Sequence, residues 1–265
     1  MFIIKNSWTL RFIKLTLFIA ISFSIFAPAN LKAQGQVENM PSYDLKKYHF
    51  GFVLAVNQMH FSIKPIEGLN YKYFDEEQSQ DFSGDSSMLF SAEHAPSMGF
   101  TVGIVSNLRL GQYFDLRFIP SLSFGERYID YRIMKFRGTD TPKLLNIRKN
   151  IPSTFVELPL HIKYKAKRLN NFRPYILSGA NFRIDLASQA NKKSDAGEVV
   201  VKLTRSDIYF EIGMGVDFYF EWFKMGTELK MSYGTFDVLK RENNVYTDGI
   251  DKLNSKIFQL SLTFE

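Results

Sequence analysis

The residues that could do chemistry are few and scattered. There is no cysteine, so thiol nucleophiles and thiolate metal sites are excluded. Glu157 and His161 form the most suggestive acid–base pair, four residues apart. On a strand that spacing puts them on one face but ~13 Å apart, beyond direct contact. The other three of the four histidines, His49, His60 and His94, fall near strand ends or in a loop, with no metal-ligand spacing. No Gly-x-Ser-x-Gly nucleophile motif occurs, and no Ser–His–acid arrangement is indicated. The expectation is a chain with no catalytic, cofactor-binding or metal-binding residues: not an enzyme, and with no cofactor.

The charged side chains make sense only on the elements that would carry them. From residue 48 onward, apolar and polar residues alternate with period two, the signature of strands. The clearest run is 207–221, where Ile208, Phe210, Ile212, Met214, Val216, Phe218 and Phe220 oppose Tyr209, Glu211, Gly213, Gly215, Asp217, Tyr219 and Glu221. Residues 223–234 and 258–264 follow as cleanly, and 48–57, 100–105, 114–124, 156–165 and 175–186 less so. That makes eight strands, an even number as in bacterial outer-membrane barrels. Pro120, Pro159 and Pro174 fall inside or at the start of these strands and are expected to mark bulges or register breaks.

Both ends of the chain point to export. Lys5, Arg11 and Lys14 precede an uncharged apolar run, Leu15 to Ala27, then Pro28 and a cleavage-like Leu31-Lys32-Ala33. The run is about 13 residues, short of the ~20 a spanning helix needs, so residues 1–33 read as a signal peptide. Residues 34–47 would be a short periplasmic segment and 48–265 the barrel domain. The four basic residues of 1–33 leave 29 Lys+Arg against 27 Asp+Glu, a mature charge of +2. The alkaline pI is therefore partly a targeting feature and no nucleic-acid footprint. Beyond the signal no apolar run reaches helical spanning length, so a membrane could be crossed only by strands.

The connections separate a membrane barrel from a soluble one. Links at 110–112, 168–171 and 221–222 are tight, whereas 62–96, 135–152, 188–205 and 236–254 are long and polar. Short periplasmic turns alternating with long extracellular loops is the outer-membrane pattern. Tyr48, Phe50, Tyr113, Phe114, Tyr164, Phe172, Phe220, Trp222, Phe223 and Phe264 gather at the short-turn end as an interfacial girdle would. The fold class expected is all-β: an eight-stranded antiparallel transmembrane β-barrel in the cell outer membrane, its apolar face toward lipid. The inward charges would then be Asp115, Glu157, Asp185, Glu211, Asp217 and Glu228 against Arg117, Lys163, Lys165, Arg183, Lys224 and Lys230. Eight strands leave no room for an aqueous channel, so side chains fill the lumen and these charges must pair. Inward glycines such as Gly99, Gly103, Gly213, Gly215 and Gly226 would make room for large neighbours. On this reading Lys230→Met leaves a buried acid uncompensated at ~3–5 kcal/mol.

Two stretches carry a family resemblance. Phe155-Val156-Glu157-Leu158-Pro159-Leu160-His161-Ile162-Lys163-Tyr164 resembles the Glu-Leu-Pro-Leu-x-x-Lys-Tyr strand of a large superfamily of small outer-membrane barrels. The first strand, Tyr48 to Phe61 followed by Ser62-Ile63-Lys64-Pro65, resembles the PorT family. That resemblance implies membership of the type IX secretion machinery, which moves folded cargo across the outer membrane and supports gliding in some species. It implies contact with outer-membrane lipid and other secretion-system proteins, and brings no catalytic residues. The alternative is a barrel with an adhesive, ligand-contact or envelope-structural role, for which long outer loops are suited.

Overall fold

The structure, a computed structural model, describes residues 38–69, 73–74, 86–136, 141–188, 201–242 and 244–265. The expected signal peptide, 1–33, lies outside them. Eleven strands form one antiparallel sheet: β1 (Tyr48–Pro65), β2 (Tyr73–Phe74), β3 (Ser86–Ala95), β4 (Ser97–Arg109), β5 (Phe114–Phe118), β6 (Ser121–Phe136), β7 (Lys143–Lys165), β8 (Phe172–Asp185), β9 (Ser206–Tyr219), β10 (Lys224–Gly234) and β11 (Ile250–Phe264). A 3-10 turn (Tyr43–Leu45) precedes β1, and one short helix, α1 (Val245–Asp248), precedes β11. The sheet closes because β1 pairs with both β11 and β4. β3 and β4 form one wall strand interrupted at Pro96, and β5 and β6 another interrupted at Ile119-Pro120, so the wall is a ring of eight.

The prolines act through single hydrogen bonds. Pro120 faces β4, where Ile104 donates to its carbonyl (3.0 Å) and nothing can return. Pro159 faces Ile119, which donates to its carbonyl at 3.4 Å, again without a reciprocal bond. Two one-sided pairs at the same level interrupt the ladder without an extra residue, since Phe118↔Leu160 and Ser121↔Glu157 keep one register. Pro174 faces Ala166, just past the end of β7, where no ladder bond is lost. The expected bulges or register breaks are therefore corrected: register runs unbroken through Pro159 and Pro174 and is kept across Pro120. Shifts occur instead at Lys64/Pro65 and Leu89/Ser91.

The facing is as the alternation implies. Phe52, Leu54, Ile162, Ile176, Ile212, Met214, Leu229 and Leu260 are exposed on the outside, while the polar residues between them are buried inside. On β8 the outward apolar residues run from Phe172 to Phe182. At ~3.3 Å per residue and a ~40° tilt that is ~25 Å along the barrel axis, the height of an outer-membrane apolar band. The aromatic residues of the short-turn end point outward, with Phe220 stacked on Phe223 and Phe114 against Tyr164.

Above this band the strands continue, into segments the sequence assigns to loops. β1 reaches Pro65, β3 begins at Ser86, and β6 and β7 form a tall antiparallel pair that extends as far as Lys135↔Lys143. There the polarity of the wall inverts. On β6, Leu122 and Phe124 face outward below, but Glu126, Tyr128, Asp130 and Arg132 face outward above. On the inner face Ser121 and Ser123 give way to Ile129, Tyr131 and Ile133, all buried. These pack with Phe61, Phe74, Leu89, Val201, Leu203, Val238, Val245, Tyr246 and Leu253 into a dry core. The lower barrel is thus polar inside and apolar outside, and the upper barrel the reverse. The ring is also incomplete above: β1 pairs with β4 only as far as Met59↔Ser97, and β3 then pairs with β6 and β2.

The inversion sets opposite mutational responses at the two levels. Leu229→Arg should destabilise by about 2–4 kcal/mol, because the charge enters the hydrocarbon layer. Leu229→Ala should be nearly silent, whereas Ile133→Ala should cost about 2–5 kcal/mol by leaving a cavity in the upper core. Urea titrations of folding in lipid vesicles measure all three, and a large effect of Leu229→Ala would place Leu229 in a packed interior. Whole-cell cysteine labelling tests sidedness. Ser86→Cys should react from outside, and Asn170→Cys, in the tight 169–171 turn at the opposite end, should not. Asn243, a natural third position, lies outside the described residues.

Candidate functional site

All twelve charged residues expected to face inward are buried in the lumen, together with His161. They form tiers along the barrel axis. Nearest the short-turn mouth, Lys165 pairs with Asp115 (2.6 Å), which also accepts from Asn107 (2.9 Å). Next, Asp217 accepts from Lys163 (2.7 Å) and lies 3.8 Å from Lys224. At the same level Arg117, wholly buried, pairs with Glu228 (2.8 Å), which also accepts from the Tyr175 hydroxyl (3.0 Å). Gly215 makes that possible: a Cβ there would lie 2.6 Å from the Tyr175 ring.

The third tier has a hub. Glu211 accepts from His161 Nε2 (2.6 Å), Lys230 (3.0 Å), Arg183 (2.8 Å), Asn181 (2.9 Å) and Ser232 (2.6 Å). Arg183 also reaches Glu157 at 3.2 Å, and Asn181 donates to Glu157 at 3.3 Å. Glu157 and His161, too far apart to touch, are thus joined through Asn181 and Glu211. His161 and Ser232 sit on different oxygens of Glu211, so the serine hydroxyl gives its proton to the carboxylate rather than to the imidazole. That is a structural network and not a nucleophile–base relay. Among the described residues no three His, Asp or Glu side chains are placed to hold a metal ion.

A fourth tier joins the polar lumen to the dry core. Arg127 bonds Ser153 (2.7 Å) and Asp185 (3.1 Å), and its guanidinium lies between the rings of Phe61 (4.7 Å) and Phe155 (5.0 Å). Sequence reasoning passed over Arg127 because its strand was taken to stop at 124. Its position in phase with Ser121 and Ser123 was the available signal. It also passed over Glu265, one residue beyond the last strand at 258–264. The side chain turns inward, 2.9 Å from Lys224 and 3.6 Å from Arg117. One residue past outward-facing Phe264, period two requires that.

The mouth below is stoppered by the chain itself. Tyr43 stacks on His49 (ring centroids 4.0 Å) and donates its hydroxyl to Glu265 (3.1 Å). Asp44 meets Arg173 (3.2 Å), Arg168 (3.5 Å) and the Tyr219 hydroxyl (3.1 Å). Asn39 bonds Asn171 and the Tyr219 carbonyl, each at 3.0 Å, and Arg168 reaches back to the carbonyl of Asn39. From residue 38 the expected N-terminal segment is therefore packed against the barrel mouth.

The hub changes what a lumen mutation does. Lys230→Met leaves Glu211 with four donors, so its cost falls to about 1.5–3 kcal/mol, the loss of one hydrogen bond to a charged group. Glu211→Gln strips the countercharge from Lys230, leaves Arg183 with Glu157 alone, and should cost about 3–5 kcal/mol. Unfolding titrations in lipid vesicles should rank the two in that order. Equal costs would mean that Glu211 is one pair among many.

Comparison with known proteins agrees with this architecture. The family model described as outer membrane protein beta-barrel domain matches residues 29–240. Among solved structures the chain is similar to neisserial surface protein A (NspA), with 11% identity and a TM-score of 0.38 over 82% of this chain and 98% of that one. It is similar also to the outer membrane protein OprG from Pseudomonas aeruginosa, with 10% identity and a TM-score of 0.38 over 82% of this chain and 95% of that one. No curated protein matches the sequence. The chain belongs to the outer membrane protein β-barrel domain family, and its place is the outer membrane.

Proposed function

We propose that this barrel is a non-catalytic, PorT-like component of a protein-secretion apparatus of the type IX kind, with an accessory or assembly role in export and in gliding where that occurs. The observation that carries the reading is the filled lumen. Arg117, Arg183, His161, Glu211 and Glu228 are at most 2% exposed and paired within the lumen, which supports a role other than conduction or catalysis. A barrel of this kind acts through its surfaces, on outer-membrane lipid and on neighbouring proteins. The resemblance of the first strand and of the Glu157–Tyr164 stretch to PorT-like barrels supports secretion as the process. It is an argument from likeness, since one fold serves many roles.

The second reading, adhesion, ligand contact or envelope structure, is favoured by the upper tier. Walls raised above the bilayer on a dry core hold a polar outer face clear of the lipid, as a contact platform requires. Deleting the gene and measuring export of secreted cargo separates the two. Loss of export, restored by the wild-type gene, is the expected result. Normal export in the deletion strain would refute the secretion role and leave the contact reading. Purified barrel in planar bilayers should pass no steady ion current, because no continuous water path crosses the paired tiers.

A further inference from the structure

The upper wall has one distinctive place at headgroup level: the fork where β1 and β3 part above Met59↔Ser97. His60 on β1 and His94 on β3 face each other there, ring centroids 5.2 Å apart. His60 is in register with Lys256 of β11. Both lean on Phe258, the uppermost outward apolar residue of β11: the His60 ring is 5.7 Å from it and the Lys256 ammonium 5.0 Å above it. His60 and Lys256 therefore stand at the upper edge of the hydrocarbon band, pointing away from the lumen, and the exposed His94 meets the His60 ring in the fork.

Their one fixed charge, on Lys256, is not neutralised. Lys256 forms no ion pair among the described residues, and neither does Lys252 higher on the same strand. Glu93, beside His94 in sequence, lies toward Arg132 at 4.0 Å. Higher up, Asp251 is taken by Lys64 at 2.8 Å. On the outer face of β6 and β7, by contrast, Arg148 and Asp130 form a close pair at 2.6 Å, which holds the Asp130 carboxyl below its usual range.

We propose that this fork is a binding site for the phosphate of an outer-leaflet lipid headgroup, held by His60, His94 and Lys256 while the acyl chains lie on the apolar band below. Its position selects the occupant. His60 and Lys256 face outward, with exposed His94 beside them in the fork, at the height where hydrocarbon ends, and there the adjacent anion is the phosphate of a lipid. Basic side chains at a membrane surface attract anionic headgroups by about a factor of five each. The site goes beyond the secretion reading and does not depend on it.

The test uses the full-length barrel folded in phosphatidylcholine vesicles and titrated with lipid A, with a dephosphorylated lipid A as the second probe. Native mass spectrometry counts the lipid retained. Wild type should retain lipid A and not the dephosphorylated form. K256Q should weaken retention about fivefold, and the K256Q/H60Q/H94Q variant more than tenfold. R148Q, on the outer face of β6 and β7, should behave as wild type. Equal retention by the triple variant, equal retention of the dephosphorylated lipid, or a matching loss in R148Q would each overturn the site. So would displacement of lipid A by millimolar inorganic phosphate, which marks a site for the free anion. Heat-modifiable gel mobility confirms that each variant is folded. If the triple variant does not fold, K256Q carries the test.

Discussion

The structure depends on closure of the ladder. Once β1 is hydrogen-bonded to both β11 and β4, the ring has no edge and its diameter is fixed by strand number and tilt. The space left inside holds side chains and not bulk water. A charge pointing inward must then find its partner inside or carry the full penalty of desolvation. The tiers of acids and bases are the consequence. Replacing such networks with apolar residues is often neutral or stabilising, so their worth here lies less in net stability than in the cost of breaking them. Glu211 on β9, gripped from three other strands by His161, Asn181, Arg183, Lys230 and Ser232, ties four successive strands of the wall together.

The same chain meets two environments along its height, and its alternation answers both with one period. In the bilayer the outer face must be apolar, and the inner face takes the polar residues. Above the bilayer the outer face meets water, and the inner face becomes an ordinary dry core around Tyr131, Ile133 and Tyr246. The switch on β6 falls at Glu126 and Arg127. Arg127 suits the boundary because its planar guanidinium can bond Ser153 and Asp185 at its edge while Phe61 and Phe155 cover its faces. The upper core gives the incomplete ring a means of holding its shape where β1 and β3 no longer pair.

Much of this was legible in the residues. Period two in 207–221 and 223–234 gave strands and faces directly, and each inward charge read from those faces is buried. Loop lengths gave orientation. What was hidden follows from how strands encode polarity. Residues 126–133 alternate as regularly as any others, but with the apolar phase exchanged, so they resemble polar loop when judged by the lower barrel. Partners were legible only between neighbouring strands, as for Glu211 with Lys230 and Asp217 with Lys224. The Arg117–Glu228 pair joins β5 to β10 across the lumen, a contact that exists only because the sheet is closed. Pro159 and Pro174 were misread because a missing N–H matters only on the side to which it would have donated.

A lumen this tightly paired also constrains how the barrel can work. Moving one strand relative to another would separate buried charges at several tiers together, and no tier offers an alternative partner exposed to water. The N-terminal segment adds a further lock, with Tyr43 and Asp44 drawn onto Glu265, Arg173 and Tyr219. The lower barrel is therefore a rigid pedestal. Conformational response, where there is any, belongs to the upper tier, where the ring is open between β1 and β3 and the packing is apolar. Dry packing of that kind exchanges neighbours at far lower cost than a buried ion pair exchanges charges. The division of the barrel at Arg127 is thus a division of labour: charge pairing holds the part in lipid, and hydrophobic packing shapes the part presented outside.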